Sequence, residues 1–147
     1  MNFFIFAIFA IFCPIVAFAG IFYIIDDLKP GTQIDSNNGR TLRSANYKFR
    51  LSLQNDGNLV ITTTPGGETT WSTNTAGSGA TKAVMQTDGE FYLQTASGEI
   101  VWRTYTYDAG TFLKLQNDGN LILWSPKGYV VWNAATGYGY YGPKTTV

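Results

Sequence analysis

The sequence of 147 residues contains no histidine and a single cysteine. Without histidine, the Ser-His and Cys-His mechanisms of catalysis and the commonest metal ligand are excluded. Because the cysteine, Cys13, lies in an apolar leader, the rest of the chain can form neither an internal disulfide nor a cysteine-based metal site. A glycine-rich phosphate loop of the P-loop or dinucleotide type is also missing. These absences exclude several large classes of enzyme.

Charge is also scarce in this chain. Charged residues make up 14% of it and the formal net charge is zero, so no basic stripe is present that could bind nucleic acid. In contrast, 16 glycines accompany 4 tryptophans, 9 tyrosines and 10 phenylalanines. This composition is typical of short strands joined by many turns. The length predicts one domain, with or without a targeting segment.

The N-terminal leader has two interpretations. Residues 3–25 form an uncharged, mostly apolar run that is long enough to span a bilayer. Small residues in Ala17-Phe18-Ala19 fit a signal peptidase site, which predicts a signal peptide over residues 1–19 and a secreted, extracellular protein. The alternative is an uncleaved membrane anchor of residues 3–25, which the absence of Lys and Arg before the run favours. Pro14 interrupts a helix there and favours the signal peptide.

A nine-residue pattern occurs three times in the chain. Leu-Gln-Asn-Asp-Gly-Asn-Leu-Val-Ile at Leu53–Ile61 returns as Leu-Gln-Asn-Asp-Gly-Asn-Leu-Ile-Leu at Leu115–Leu123 and, in weaker form, at Met85–Leu93. Each copy is followed by a tryptophan at one register: Trp71, Trp102 and Trp132. We interpret this pattern as a threefold internal repeat.

Each repeat is predicted to form about three short strands. Residues 47–53 and 58–62 alternate apolar and polar side chains, as half-buried strands do, and Asn55-Asp56-Gly57 has the chemistry of a hairpin turn. No helical periodicity is present, so we predict an all-β fold. One such unit is only marginally stable alone, so the three units must share a core, which the three tryptophans are predicted to fill. Residues 27–34, before the first repeat, are predicted to form one short strand ended by a Pro-Gly turn.

The polar residues of the repeat surround its turn. Gln54, Asp56 and Asn58 offer donors and acceptors beside apolar Val60, and no counter-charge recurs in the repeat. This set suits a neutral polyol, whose vicinal hydroxyls donate and accept while its C–H groups contact the valine. Alternatively, Asp56 and Asn58 only shape the turn. Turn chemistry alone, however, requires neither the glutamine nor the valine.

The motif is similar to Gln-x-Asp-x-Asn-x-Val-x-Tyr, the sugar-binding motif of the bulb-type (monocot, snowdrop-like) mannose-binding lectins. The resemblance covers residues from about 26 to 133. It implies a β-prism of three four-stranded antiparallel sheets with pseudo-threefold symmetry, one monosaccharide pocket on each sheet, no catalysis, and no required metal or cofactor. We therefore predict a lectin domain over residues 26–136 and a Gly/Tyr-rich tail over residues 137–147.

By this resemblance, the first pocket consists of Gln54, Asp56, Asn58, Val60 and Thr62. The third consists of Gln116, Asp118, Asn120, Ile122 and Trp124. The second consists of Gln86, Asp88, Glu90, Tyr92 and Gln94. Thr62 and Trp124 stand where the family has tyrosine, and we expect both pockets to bind. In the second pocket Glu90 replaces an amide by a charge and Tyr92 places a bulky ring where the sugar would rest, so we expect its binding to be impaired.

The partners implied are mannose-containing glycans or glycoproteins, bound by a lectin used in recognition or defence. The family also forms dimers and tetramers, sometimes by exchanging C-terminal strands, which implies a homodimer or homotetramer and a role for the tail. A membrane would be a partner only if the leader is uncleaved. Two alternatives are an interaction scaffold that has lost sugar binding and an antibacterial toxin. A glycosidase is disfavoured because no second carboxylate recurs beside the turn aspartate.

Overall fold

A computed structural model describes residues 26–137 of the chain. The predicted signal peptide, the alternative anchor and all but the first residue of the predicted tail lie outside the described residues. Within residues 26–137 the fold is all-β, with twelve strands in three four-stranded antiparallel sheets. The predicted sheet architecture is therefore confirmed. No helix in this part of the chain is long and apolar enough to cross a membrane.

In chain order the strands are β1 (Asp27–Leu28), β2 (Thr32–Asp35), β3 (Leu42–Arg43), β4 (Phe49–Leu53), β5 (Leu59–Thr63), β6 (Thr69–Ser72), β7 (Ala80–Met85), β8 (Phe91–Thr95), β9 (Ile100–Arg103), β10 (Phe112–Leu115), β11 (Leu121–Trp124) and β12 (Val130–Asn133). The first sheet has the order β3-β4-β5-β6, the second β2-β7-β8-β9 and the third β1-β10-β11-β12. Each nine-residue pattern thus forms the central hairpin of one sheet, and its tryptophan lies on the edge strand that follows.

The fourth strand of every sheet comes from the segment before the first pattern. The prediction of one strand over residues 27–34 was wrong: β1 and β2 are separate strands that belong to different sheets. Between them the backbone reverses at Gly31, whose φ of +78° suits glycine. Leu28 and Ile34 are both fully buried, so each short strand anchors one apolar side chain in the core.

The core lies between the three sheets and is filled by every second residue of their inner strands. Leu51 of β4 and Leu113 of β10 are fully buried at equivalent positions. Leu93 of β8 is also fully buried, opposite Ala83, which has the equivalent position in β7. The three repeat tryptophans meet one another edge to face, with ring centroids 5.9–6.3 Å apart and interplanar angles of 74–80°. Edge-to-face pairs of this kind stabilise a core beyond the area they bury. Trp132 is buried, whereas Trp71 and Trp102 are partly buried and pack against the core.

Candidate functional site

The three turn aspartates make the same hydrogen bond within their turns. In each turn the carboxylate Oδ1 accepts a hydrogen bond from the backbone N–H two residues later, at 2.9 Å for Asp56, 3.0 Å for Asp88 and 2.9 Å for Asp118. This bond is the turn-shaping contact that aspartate commonly makes. One carboxylate oxygen therefore holds the turn. In the exposed Asp56 and Asp118, the second oxygen is left to accept from a ligand.

The amide of Asn58 is oriented by the end of β6 and the loop that follows it. Its Oδ1 lies 3.1 Å from Ser72 Oγ, 3.2 Å from Thr73 Oγ1 and 3.1 Å from the N–H of Thr75, and all three groups donate to it. With the oxygen held in this way, the Nδ2 group is the side of the amide that faces away from the loop and can donate. In the third sheet Asn120 Oδ1 accepts from a backbone N–H in the same manner, at 3.3 Å from the nitrogen of Ala135.

Two Thr-x-Thr segments support the turns, and our sequence reasoning missed them. The hydroxyls of Thr73 and Thr104 accept from the backbone N–H that begins the strand after the turn, at 3.1 and 3.2 Å. The hydroxyls of Thr75 and Thr106 donate to the carbonyl of the turn glycine, at 2.8 Å each. The signal was present in the sequence as Trp-x-Thr-x-Thr in the first two repeats. These segments hold the turn against the end of the edge strand.

The apolar floor of the first and third pockets is recessed. Val60 is 2% exposed and Ile122 5% exposed, although both point to the outer face of their sheets, opposite the core-facing Ile61 and Leu123. Thr62, the residue in place of the family's tyrosine, is also buried. Around these floors Gln54 is exposed, while the equivalent Gln116 and the replacement Trp124 are partly buried. The geometry thus brings the predicted polar and apolar groups of each pocket onto one face.

The third pocket opens into a groove of about 480 Å³. Gln116 and Asp118 line it together with Ala45, Asp26 and Lys114. Lys114 Nζ donates to Asp26 Oδ2 at 2.8 Å, so these two charges pair beside the glutamine. The pocket therefore offers polar groups at the end of a groove large enough for a sugar.

In the second pocket the charge of Glu90 is neutralised within the protein. Glu90 is 3% exposed, and both of its carboxylate oxygens accept from the Arg103 guanidinium, with Arg103 Nε 2.7 Å from Oε1 and Nη2 also bonded to Oε2. The hydrogen bond to Glu90 raises the pKa of Arg103 above its ordinary value. The guanidinium also lies 5.2 Å from the centre of the Tyr105 ring. The Glu90 carboxylate, which replaces the amide of the motif, is thus already paired with Arg103 and is not free to bind a ligand.

The other polar groups of the second pocket bond to one another. The Gln86 amide lies 2.8 Å from the Tyr92 hydroxyl. With its oxygen toward that hydroxyl, which then donates, its nitrogen donates to both carboxylate oxygens of Asp88, at 3.1 and 3.3 Å. Tyr92 is 7% exposed and fills the floor, and Gln94 is partly buried on the same strand. A ligand would have to break these internal hydrogen bonds before it could be bound.

Asp108 ties the loop after β9 to the third sheet. Hydrogen bonds from Ser125 and Tyr129, with the Lys127 charge nearby, hold the pKa of Asp108 below its usual value. The Tyr129 hydroxyl donates to its Oδ2 at 2.7 Å. Since the pKa is lower in the folded chain than in the unfolded chain, this carboxylate stabilises the fold above the unfolded pKa of 3.8.

Acid should therefore weaken the fold through Asp108. We expect the free energy of unfolding to fall as the pH drops below about 4 and through the lowered pKa, because the unfolded chain then binds the proton more readily. In Asp108→Asn this part of the acid dependence should be absent, as urea denaturation between pH 2.5 and 6 would measure. Glu99→Gln, which removes an exposed carboxylate, should keep the acid dependence. An unchanged pH profile in Asp108→Asn would contradict this assignment.

Within residues 26–137, no cluster of three His, Cys, Asp or Glu side chains is placed to hold a metal ion. The predicted site residues are instead hydrogen-bonding groups around three turns, and those of the second turn are bonded within the protein. Their arrangement supports binding of a polar molecule.

Comparison with known proteins agrees with the fold and with this type of site. No family model matches the chain. Among curated proteins, the B-type lectin plumieribetin of Scorpaena plumieri is 33% identical over 81 residues, which are 55% of this chain. The match spans only 62% of the length of that relative.

Solved structures match over more of the chain. The Japanese Marasmius oreades lectin has a TM-score of 0.69 and 28% identity, covering 80% of this chain and 97% of the lectin. A monomeric monocot mannose-binding lectin from Gastrodia elata has a TM-score of 0.64 and 25% identity, covering 76% of this chain and 97% of the lectin. The resemblance to bulb-type mannose-binding lectins is confirmed, together with their β-prism fold. Lectins bind carbohydrate without catalysis, which agrees with the prediction that the chain is not an enzyme.

Proposed function

We propose that this chain is a lectin that recognises mannose-type glycans through its first and third pockets. The observation that carries the proposal is which side-chain atoms of the turn residues are hydrogen-bonded within the protein. In these two pockets the Asn oxygen accepts from the protein, which leaves the Asn Nδ2 and the second Asp oxygen for a ligand beside a buried Val or Ile. In the second pocket Asp88 is instead bonded to Gln86, and Glu90 to Arg103.

The chemistry of the two pockets suits vicinal hydroxyls. An outward carboxylate oxygen of Asp56 or Asp118 accepts from one hydroxyl, and the amide nitrogen of Asn58 or Asn120 donates to its neighbour. The glutamine at the start of each motif supplies one more donor and acceptor. The buried Val60 or Ile122 provides an apolar surface for the C–H face of the ring, and the similarity to mannose-binding lectins supports mannose as the sugar.

Two pockets would act together on one glycan. A single shallow pocket of this kind is expected to bind a monosaccharide in the millimolar range, a free energy of about −4 kcal/mol. Two pockets on one rigid prism raise the effective affinity when a branched glycan or a glycoprotein engages both. A homodimer or homotetramer would add further pockets. Secretion through residues 1–19 would bring the protein to extracellular glycans, where recognition or defence is the proposed role.

The test is retention on immobilised mannose and elution by free methyl α-mannoside. We expect the native protein to be retained and the double variant Asp56→Asn plus Asp118→Asn to pass through. Asparagine keeps the Oδ1 acceptor that holds each turn but replaces the outward carboxylate oxygen, so the variant should fold. Losing one charged acceptor per pocket should weaken each by about tenfold or more.

The matched control is Asp88→Asn, which makes the same change in the second pocket, where the carboxylate is bonded to Gln86. This variant should be retained like the native protein. If a folded native protein binds neither mannose nor any glycan on an array, the lectin function is wrong. The chain would then be better explained as an interaction scaffold.

A further inference from the structure

Two arginines continue the outer face of the first sheet beyond the first pocket. In the antiparallel register Arg43 of β3 lies opposite Arg50 of β4, and Arg50 lies opposite Thr62 of β5. Val60, the floor of the first pocket, is two residues from Thr62 on the same strand and therefore points to the same face. Arg43 and Arg50 thus form one row with Thr62, the last residue of the proposed sugar pocket.

Within the described residues, no carboxylate forms an ion pair with either arginine. Like charges directly opposite each other in an antiparallel sheet are destabilising. The ion pairs within residues 26–137 join Asp26, Asp27 and Glu90 to other cations, and neither Arg43 nor Arg50 takes part. In the second sheet the equivalent of Arg50 is Lys82, which lies opposite Asp35. The first sheet has Arg43 at the place of Asp35, so the residue opposite Arg50 in the register is a second cation and not a carboxylate.

Two buried polar atoms of the same row also have no partner. Arg50 Nε and Thr62 Oγ1 are buried and make no hydrogen bond, and Thr62 is only 8% exposed. Buried donors are nearly always paired, and an unpaired one indicates a missing water, ion or ligand. Two such atoms on neighbouring strands, next to unbalanced positive charge, fit an oxygen anion that accepts from both.

We propose that the first pocket extends over this row and binds a sugar that carries an anionic group. This inference rests on the lectin function proposed above. Side chains two apart on one face of a strand are roughly 7 Å from each other, about the width of a hexose ring. A ring resting on Val60 therefore places a substituent near Thr62 and Arg50. Phosphate, sulfate and carboxylate share the required chemistry, and their oxygens match the guanidinium fork.

The third pocket lacks this extension. The equivalent of Arg50 in the third sheet is Phe112, which lies opposite Trp124 in the register. Preference for a charged sugar should therefore belong to the first pocket alone. The third pocket should prefer the neutral sugar.

The experiment compares methyl α-mannoside with mannose 6-phosphate, mannose 6-sulfate and mannuronate by calorimetry or NMR titration. To isolate the first pocket, all titrations are made in the Asp118→Asn variant, which disables the third pocket. We expect at least one of the charged sugars to bind about tenfold more tightly than methyl α-mannoside, because hydrogen bonds to charged groups are the stronger ones. The advantage should shrink as salt is raised from low to physiological concentration. Which of the three charged sugars binds best identifies the anion.

Arg50→Gln should abolish this advantage and leave binding of methyl α-mannoside unchanged. The matched control Lys82→Gln removes a charge at the equivalent place of the second sheet and should keep the advantage. Circular dichroism and thermal melting test whether both variants fold. If Arg50→Gln does not fold, Arg43→Gln takes its place.

Equal binding of neutral and charged sugars would overturn the inference while the lectin function stands. If neither kind of sugar binds, the proposed lectin function itself fails. If inorganic phosphate alone displaces the charged sugar at equal concentration, the arginines form a simple anion site, and the extension of the sugar pocket is wrong.

Discussion

Replacing Gly89 by alanine is expected to unfold the chain or to lower its free energy of unfolding by about 4 kcal/mol or more. The turn glycine of the second repeat has a φ of +99°, and an added Cβ would lie 2.2 Å from the carbonyl oxygen and 2.5 Å from the nitrogen of Asp108. These are backbone atoms of a neighbouring loop, so a side-chain rotation cannot relieve the overlap. Urea denaturation followed by tryptophan fluorescence would measure the loss.

Gly98→Ala is the matched control for this prediction. Gly98 has a φ of +91°, close to that of Gly89, but an added Cβ would meet nothing within 4 Å. It should therefore report the backbone strain alone, which is about 1–2 kcal/mol for a residue with a side chain. If the two variants lose the same stability, the close approach of the Asp108 backbone is not what requires glycine in the turn.

The central hairpins could be predicted from the sequence because their signals are local. Alternating side chains, an Asp-Gly turn and a tryptophan at constant spacing lie within about twenty residues of one another in each repeat. Residues 58–62 were assigned as a strand, and β5 spans Leu59–Thr63. In this part of the chain, local preference and long-range packing favour the same structure.

The pairing of the outer strands β1, β2 and β3 could not be predicted in this way. β1 and β3 have two residues each, and each of the three outer strands pairs with a different repeat. The partner of β1 is β10, far along the chain in the third repeat. Such pairing depends on the closed arrangement of three sheets and not on any pattern within residues 26–43.

For the candidate site, the sequence proposes the members but does not reveal their hydrogen bonds. The sequence identified the Gln, Asp and Asn positions, but the groups that orient the Asn58 amide are hydroxyls and an N–H some 14–17 residues later, on the next edge strand and its loop. Glu90 was expected to put a charge in the second pocket. Its partner Arg103 was not foreseen, because a counter-charge was sought within the nine-residue pattern and Arg103 lies 13 residues away.

Breaking the Glu90–Arg103 ion pair of the second pocket is expected to destabilise the fold strongly. Arg103→Ser should lower the folding equilibrium constant by about a hundredfold or more, because it leaves the Glu90 carboxylate buried without its counter-charge. Serine is the residue found at the equivalent position of the first sheet, Ser72, opposite Val60 as Arg103 is opposite Tyr92. The change therefore introduces a side chain that this fold already accepts there.

The double variant Glu90→Asn plus Arg103→Ser should recover most of the loss. It reproduces the pair of the first sheet, in which the Ser72 hydroxyl donates to Asn58 Oδ1 at 3.1 Å. Urea denaturation of both single variants and the double variant would complete a double-mutant cycle, whose coupling energy reports the interaction between the two positions. If the double variant is no more stable than Arg103→Ser, the two residues do not act as a pair. Recovery would mean that the Asn–Ser hydrogen bond of the first sheet and the Glu–Arg ion pair of the second sheet stabilise this fold to a similar extent.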